Sequence, residues 1–298
     1  MRSIELNIDV TDLADGEQPL AVAATLFAPA PDVPKPCCEL LVALHGAGYD
    51  RRYYDIAHEG YSFAQYFTAR GYHVLAIDHL GMGRSSQPQP ERRVTRGLVA
   101  ATNDRVVRQV RAGLMAGRFF ETGPRDRVRA SCMAHSMGGM LAIVQQAQHR
   151  TFERLAIAGW SNIGVRFGDD AAAVAGVVAM EGYLPAPRHL MHQLFYLPDV
   201  LAALIELDAS YASLTPAGLG RDAMTPDAVA ADAARIECPL FLLFGEIDTS
   251  PDPSAEVRYY SASPDITLVR LQGSAHIQHL ASSRQRFWQR LDGWLRSS

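Results

Sequence analysis

A serine lies between a predicted strand and a predicted helix, within residues 134–139, whose sequence is AHSMGG. The apolar run 128–133 before it predicts a buried strand, and residues 140–149 after it predict a helix. Alanine and glycine stand two positions before and after the serine, which leaves room for a sharp reversal of the chain. We therefore expect Ser136 at the apex of a tight strand-to-helix turn, beside amides that favour negative charge.

Short apolar runs and helix-like stretches alternate along most of the chain. Strands are predicted at 4–10, 20–28, 40–44, 73–77, 128–133, 155–158, 239–244 and 266–271. Helices are predicted at 62–70, 98–115, 140–149, near 255–261 and at 278–294. Continuous apolar runs suit strands buried on both faces of a parallel sheet. The alternation predicts an α/β fold, a doubly wound and mostly parallel sheet with helices on both faces.

Residues 165–235, called the 165–235 segment below, interrupt this alternation. The stretch is rich in alanine, helical in character and broken by several prolines, and we find no strand candidate in it. We predict a helical lid inserted between two core strands. The core domain then comprises residues 1–164 and 236–298.

Length and charge limit the classes of protein to consider. A chain of 298 residues has room for one large α/β domain with an inserted subdomain. A formal net charge of −4 and the absence of a basic run argue against nucleic acid as a partner. No signal-peptide core and no apolar stretch of about 20 residues is present, so we expect no membrane span. The oligomeric state stays open.

The four cysteines indicate neither a disulfide framework nor a metal site. Cys37 and Cys38 are adjacent, Cys132 lies in a predicted core strand, and Cys238 precedes another. Their spacing differs from the paired spacing of a zinc site. We expect incidental thiols in a reducing cytoplasm, and no metal or organic cofactor.

A candidate acid and a candidate base for Ser136 each follow a later predicted strand. Asp248 follows the strand at 239–244, with Glu246 as the nearby alternative. His276 follows the strand at 266–271 in the sequence GSAH, and His279 is its rival, although we expect His279 to begin the last helix. A serine hydroxyl needs such a base to take its proton during attack.

This order of serine, acid and histidine resembles the α/β-hydrolase superfamily, over roughly residues 20–294. The resemblance implies a catalytic triad of Ser136, Asp248 and His276, the acid orienting the imidazole. It also implies an oxyanion hole made by the amides of Met137 and Ala47, with Gly46 as an alternative. Alanine replaces the usual first glycine of the serine motif, which we interpret as a tolerated variant.

Three other polar residues near these motifs are assigned supporting roles. His45, in the loop 45–48, is expected to hold that loop by hydrogen bonding, and His135 to be a packing residue beside the serine. Asp78 opens a glycine-containing loop and is expected to bond local amides.

The 165–235 segment suggests the nature of the substrate. Its apolar and aromatic residues are Val177, Val178, Met180, Tyr183, Leu190, Met191, Leu194, Phe195, Tyr196 and Leu197. We predict Trp160, Tyr183, Met191 and Phe195 as pocket residues. Such a pocket favours a small-molecule substrate with a largely apolar acyl group. Arg166 and Arg188 are the exceptions that suit an anionic group.

Three functions follow from these features. The leading hypothesis is a cytoplasmic serine hydrolase that cleaves an ester, lactone or thioester through an acyl-enzyme on Ser136. The alternative is a carbon–carbon bond hydrolase or an acyltransferase that uses the same triad. The third is a noncatalytic module that keeps the fold and holds a ligand in its pocket.

Overall fold

The strands of the protein occupy nearly the positions that the apolar runs predict. The structure is a computed structural model that describes residues 1–14, 18–33, 39–120, 123–165, 176 and 180–297. The strands are β1 (Arg2–Asp9), β2 (Ala21–Ala28), β3 (Glu39–Leu44), β4 (His73–Ile77), β5 (Arg129–His135), β6 (Arg154–Ala158), β7 (Tyr183–Pro185), β8 (Leu214–Pro216), β9 (Leu240–Gly245) and β10 (Ile266–Leu271). The predicted bounds of β4 and β10 are confirmed, and those of the other sheet strands differ by one or two residues.

Four of the predicted helices form as α-helices, two of them shorter and two of them longer than predicted. The helices of the structure are α1 (Phe63–Thr68), α2 (Arg96–Met115), α3 (Met137–His149), α4 (His192–Phe195), α5 (Ala202–Ala209), α6 (Ala217–Met224), α7 (Ala230–Ala233) and α8 (Arg284–Arg296). Hydroxyl caps fix two of the starts: Ser62 accepts a hydrogen bond from the Gln65 amide, and Thr95 from the Leu98 amide. Such caps satisfy amides that have no partner in the first turn.

An eight-stranded sheet organises the described residues, in the order β1-β2-β4-β3-β5-β6-β9-β10. The pairs from β4 through β3, β5, β6 and β9 to β10 are parallel, while β1 and β2 form an antiparallel edge. The predicted mostly parallel sheet is therefore confirmed. The carboxyl ends of the parallel strands lie along one edge, so the loops after β3, β5, β6, β9 and β10 meet there.

Each face of the sheet is covered by its own apolar layer. One layer includes Val106 and Val110 of α2 and Leu141 of α3, and the other includes Phe67 of α1 and Trp288 of α8. The central strand β3 is buried along its whole length, as expected for a strand with helices on both sides. The doubly wound arrangement is confirmed.

The last helix starts later than predicted. Helix α8 begins at Arg284, whereas the sequence pattern suggested residue 278. Residues 277–281 form turns, because Gln278 and His279 turn their side chains into buried hydrogen bonds with other parts of the molecule. The helix predicted near 255–261 is a 3₁₀ helix, Ala255–Tyr259.

The 165–235 segment contains two strands where we expected none. Strands β7 and β8 pair antiparallel, with Leu184 opposite Thr215. Each is only three residues long and contains a proline, so neither shows an alternating pattern that sequence can reveal. The short helices α4 to α7 fit the predicted helical character. In the chain this segment lies between β6 and β9, which are neighbours in the sheet.

Two further observations concern the expectations about membrane spans and cysteines. None of the helices in the described parts of the chain combines the length and apolar character needed to cross a membrane. Cys132 and Cys238 are buried free thiols. Cys37 and Cys38 lie outside the described residues.

Candidate active site

Ser136 occupies a strained turn between β5 and α3. Its φ of 55° and ψ of −126° fall in a region that residues with a side chain rarely adopt. The turn is held by a 2.8 Å hydrogen bond from the Ser136 amide to the Ala158 carbonyl of β6. Such a conformation costs about 1–3 kcal/mol, which the packed strands on either side must offset.

The small residues around this serine meet different constraints. A Cβ added to Gly138 would lie 2.4 Å from the carbonyl oxygens of both Leu44 and His45, so only glycine fits there. Ala134, two residues before the serine, is fully buried in β5 between Leu44 of β3 and Ile157 of β6. Its methyl group is accommodated within the sheet, which explains why the usual glycine is not needed at that position.

The structure brings Ser136, His276 and Asp248 into one hydrogen-bonded chain at the carboxyl edge of the sheet. Nε2 of His276 lies 3.1 Å from the Ser136 hydroxyl, and its Nδ1 lies 2.6 Å from Oδ1 of Asp248. Because a carboxylate only accepts, Nδ1 carries the hydrogen in the second contact. Nε2 is then the lone-pair nitrogen, oriented to accept the serine proton.

Asp248 accepts four further hydrogen bonds that fix its carboxylate, the longest from the Thr249 hydroxyl at 3.4 Å. The amides of Gly245 and Thr249 donate to its two oxygens, each at 2.7 Å, and Nε2 of Gln278 donates at 2.9 Å. Gln278 is fully buried. Sequence reasoning missed Gln278, because a glutamine in a loop carries no motif and only the fold brings it to the carboxylate.

The backbone around His276 is anchored from two sides. Its amide donates to the Leu194 carbonyl at 3.0 Å, and the Ile277 amide donates to the Phe195 carbonyl at 3.2 Å, both from α4. Nε2 of His135 donates to the His276 carbonyl at 2.9 Å. Burial lowers the pKa of His135, so its ring is neutral and supports the histidine loop, consistent with the expected packing role.

His279 and Glu246, the alternative base and acid, contact other groups. His279 is fully buried among aromatic rings and accepts a hydrogen bond from Trp288 at 3.0 Å, and burial lowers its pKa to about 3. Glu246 accepts the Gly273 amide at 3.1 Å. Among the described residues, His276 therefore bonds one serine, Ser136, and one carboxylate, Asp248.

Met137 and Ala47, the expected oxyanion donors, both line the same cavity as Ser136. As the first residue of α3, Met137 has an amide with no acceptor in a preceding turn. The loop containing Ala47 is fixed from within, since Nδ1 of His45 lies 2.9 Å from the Gly46 carbonyl. Burial lowers the pKa of His45 to about 4, so the ring is neutral and Nδ1 donates.

Asp78 takes the supporting role that its glycine-containing loop suggested. Its carboxylate accepts the amides of Arg51 at 2.7 Å and Arg84 at 2.8 Å, and it pairs with the Arg51 guanidinium. These bonds tie together the turns that follow β3 and β4, behind the loop that carries Ala47.

A cavity of about 220 Å³ opens over the serine. Its walls are mostly apolar, and no Asp, Glu, Lys or Arg lines it among the described residues. Of the predicted pocket residues, Trp160, Met191 and Phe195 line it. Tyr183 does not: its hydroxyl donates to the Pro88 carbonyl at 2.7 Å, whereas its strand neighbours Leu184 and Pro185 line the cavity.

Arg188, considered as an anion ligand, is already paired. Its guanidinium bonds the Asp208 carboxylate and the hydroxyls of Tyr49 and Tyr196, the latter two at 3.0 Å. Its charge is therefore balanced outside the cavity lining. Arg166, Val177 and Val178 lie outside the described residues.

Comparisons with known proteins extend over nearly the whole chain. A family model described as serine aminopeptidase, S33, matches residues 35–280. A probable hydrolytic enzyme from Pseudomonas aeruginosa PAO1 has a similar structure, with a TM-score of 0.66 at 21% identity, covering 99% of this chain and 95% of that one. Naproxen esterase from Bacillus subtilis superposes with a TM-score of 0.63 at 16% identity, covering 99% and 92%.

A third structure shows how widely this fold is used. Bromoperoxidase from Bacillus anthracis has a TM-score of 0.67 at 15% identity, covering 99% of this chain and all 100% of that one. At such identities the structural likeness establishes the fold alone. Among curated protein sequences no match is found.

Proposed function

The chain belongs to the serine aminopeptidase S33 family of α/β-hydrolases, and within that family we propose that it is a serine hydrolase of apolar acyl compounds. Its substrate is an ester, lactone or thioester, cleaved through an acyl-enzyme on Ser136. The observation that carries the proposal is the continuous hydrogen-bonded chain from Ser136 through His276 to Asp248 at the floor of the cavity.

The first half-reaction forms the acyl-enzyme. His276 Nε2 takes the hydroxyl proton as Ser136 Oγ attacks the acyl carbon, and the carbonyl oxygen becomes an oxyanion. Asp248 keeps the imidazole in the required tautomer and stabilises the imidazolium. The imidazolium then gives its proton to the departing alkoxide or thiolate, and the bond between the acyl carbon and the leaving group breaks.

The second half-reaction restores the enzyme. Water in the cavity gives a proton to His276 as its oxygen attacks the acyl carbon of the ester on Ser136. Collapse of the second tetrahedral intermediate returns that proton to Oγ and releases the carboxylic acid. In both steps the amides of Met137 and Ala47 stabilise the oxyanion; losing one donor of such a pair costs about 10²–10³ in rate.

The walls of the cavity support an uncharged acyl group. Trp160, Met191 and Phe195 surround the serine with apolar surface, and an ionised group there would lose its hydration without gaining a partner. We assign the 165–235 segment as the lid that supplies much of this wall. An aminopeptidase substrate carries a free ammonium group, for which no carboxylate lines the cavity in the described residues.

The test compares wild type with Ser136→Ala on p-nitrophenyl esters of increasing chain length. We expect the variant to lose turnover on the order of 10⁶-fold, as other serine triads do, and to lose labelling by a fluorophosphonate. Ser261→Ala, at an exposed serine, is the control and should retain both. An aminoacyl p-nitroanilide and a diketone are tested in parallel.

Two results would overturn the proposal. Full ester turnover in Ser136→Ala would remove the serine from the chemistry. Turnover of the aminoacyl anilide or the diketone by wild type, with all esters and thioesters left intact, would assign the triad to a different bond.

A further inference from the structure

The loop that carries Ala47 is bonded to the 165–235 segment through the backbone of a single glycine. The Gly48 amide donates to the Thr215 hydroxyl oxygen at 2.8 Å, and the Gly48 carbonyl accepts the Ser213 amide at 3.1 Å. Both polar backbone groups of Gly48 are therefore paired with residues in or next to β8. The contact is also close in the steric sense, since a Cβ on Gly48 would lie 2.4 Å from that of Ala186.

These bonds restrict the backbone conformation of Ala47, the residue before Gly48. The Ala47 N–H lies in the peptide plane that it shares with the Gly46 carbonyl, and rotation of this plane changes Gly46 ψ and Ala47 φ. His45 holds that plane through the Gly46 carbonyl, and Thr215 holds the next plane through the Gly48 amide. The first bond sets the direction of the Ala47 N–H, and the second fixes the position of the Ala47 Cα from which it projects. A second anchor, the 2.7 Å bond from the Tyr49 hydroxyl to Asp208, holds the loop one residue further on.

We propose that Thr215 is a positioning residue for the oxyanion hole, so that the 165–235 segment completes the catalytic machinery besides covering it. The inference rests on the proposed function and assigns a step within it. Thr215 accepts the Gly48 amide and fixes the Ala47–Gly48 peptide plane, which holds the Ala47 Cα in the position from which the Ala47 amide reaches the oxyanion.

The position of Thr215 suits this role. Its side chain is buried and lines the cavity that contains Ser136, although it comes from β8 and not from the sheet core. A residue that only covers the substrate needs an apolar surface here. The threonine hydroxyl instead supplies the acceptor for a buried amide that would otherwise have no partner in the loop.

The experiment compares Thr215→Val, which removes the acceptor at similar volume, with Thr215→Ser, which keeps it. For Thr215→Val we expect kcat on a p-nitrophenyl ester to fall on the order of 10- to 100-fold, with KM changed less than about threefold. The affinity for an alkyl boronic acid, which forms a tetrahedral adduct on the serine, should fall by a similar factor. Thr215→Ser should recover most of both values.

Controls separate positioning from general stability. Thr68→Val removes a buried hydroxyl from α1, outside the cavity lining, and should leave kcat and boronate affinity unchanged. If Thr215→Val does not fold, Thr215→Ala is compared with Thr215→Ser at equal concentrations of folded protein. The loss of kcat and boronate affinity should then separate these two variants.

Wild-type kcat and boronate affinity in folded Thr215→Val or Thr215→Ala would overturn the inference. So would a loss in Thr215→Ser equal to that in Thr215→Val. These results leave the proposed function intact as long as Ser136→Ala is inactive. If Ser136→Ala is active, the proposed function itself is wrong.

Discussion

The sheet core and the 165–235 segment enclose the same cavity but contribute different groups to it. The core supplies the side chains to which we assign the chemistry, Ser136 and His276, from loops at the ends of parallel strands. The segment supplies apolar walls and the acceptors that hold two core loops, the Leu194 carbonyl and the Thr215 hydroxyl. In our proposal the sheet core carries out the reaction, and the 165–235 segment sets the shape of the cavity and the alignment of the core loops.

Most histidines of the core are buried, although His58 is exposed, whereas the two of the 165–235 segment are exposed. His45, His79 and His279 of the core are fully buried, and burial lowers their pKa values to about 4, 3 and 3. His189 and His192 of the 165–235 segment are exposed. Burial in the core thus yields neutral imidazoles that serve as hydrogen-bonding parts of the scaffold.

Among the substitutions that compare the two regions, the largest loss of activity should come from a substitution of Asp248, the acid that the core supplies. Asp248→Asn keeps the size of the side chain but removes the charge that fixes the tautomer of His276. We expect kcat to fall on the order of 10⁴-fold, while KM changes little. Steady-state kinetics on the preferred p-nitrophenyl ester measures this change.

The matched control for this prediction is Glu246→Gln, at the neighbouring carboxylate that contacts the Gly273 amide. It should keep wild-type kcat. A large loss in Glu246→Gln with near wild-type activity in Asp248→Asn would exchange the roles of the two acids.

A pair of glycine substitutions compares packing in the two regions. In Gly138→Ala the new Cβ meets the Leu44 and His45 carbonyls at 2.4 Å, and backbone atoms cannot move aside easily. We expect a loss of about 3 kcal/mol in the free energy of unfolding. In Gly220→Ala, within α6, the Cβ meets nothing within 4 Å, and helix propensity should raise stability by about 0.5–1 kcal/mol.

Urea denaturation followed by tryptophan fluorescence measures both values of this pair. Equal effects of the two substitutions would contradict the contrast between a tightly packed turn and an open helix face.

The smallest effect concerns acid stability. An unfolded histidine titrates near pH 6.5, whereas His279 in the folded protein has a pKa of about 3. Between these values the unfolded state binds more protons, so the free energy of unfolding falls as pH decreases from about 6.5. Each such histidine adds up to about 1.4 kcal/mol per pH unit to the slope of the free energy of unfolding against pH. His279→Gln should reduce the slope between about pH 4.5 and 6 by that amount.

His189→Gln, at an exposed histidine of the 165–235 segment, is the control for the substitution itself. Urea curves at several pH values give the slopes. A slope in His279→Gln equal to that of wild type would show that this imidazole does not stay neutral in the folded protein.

Much of the core could be predicted because its signals are local. Continuous apolar runs fix strands such as β4 and β10, and small residues around Ser136 indicate its turn without any knowledge of the rest of the molecule. The parallel sheet then explains why the loops of Ser136, Asp248 and His276 meet, since the loops after parallel strands lie at one edge. The order of serine, acid and histidine in the chain is recognised from the resemblance to the α/β-hydrolase superfamily.

The remaining features depend on contacts that sequence does not display. Strands β7 and β8 exist only as a pair, and the Tyr183 hydroxyl bonds the distant Pro88 carbonyl. The last helix begins at Arg284 and not at residue 278, where the Gln278 side chain bonds Asp248 instead. Thr215 reaches Gly48 across 167 residues of sequence. In each case a tertiary contact decides the local structure.

The most direct test of the proposed function is to trap a covalent intermediate on Ser136. Wild type is treated with an apolar p-nitrophenyl carbamate, whose carbamoyl-enzyme is hydrolysed slowly, and then analysed by intact-mass and peptide mass spectrometry. We expect one carbamoyl group, on Ser136, and none in Ser136→Ala. Release of p-nitrophenol with Ser136 unmodified, or with the group on another residue, would contradict the proposed function.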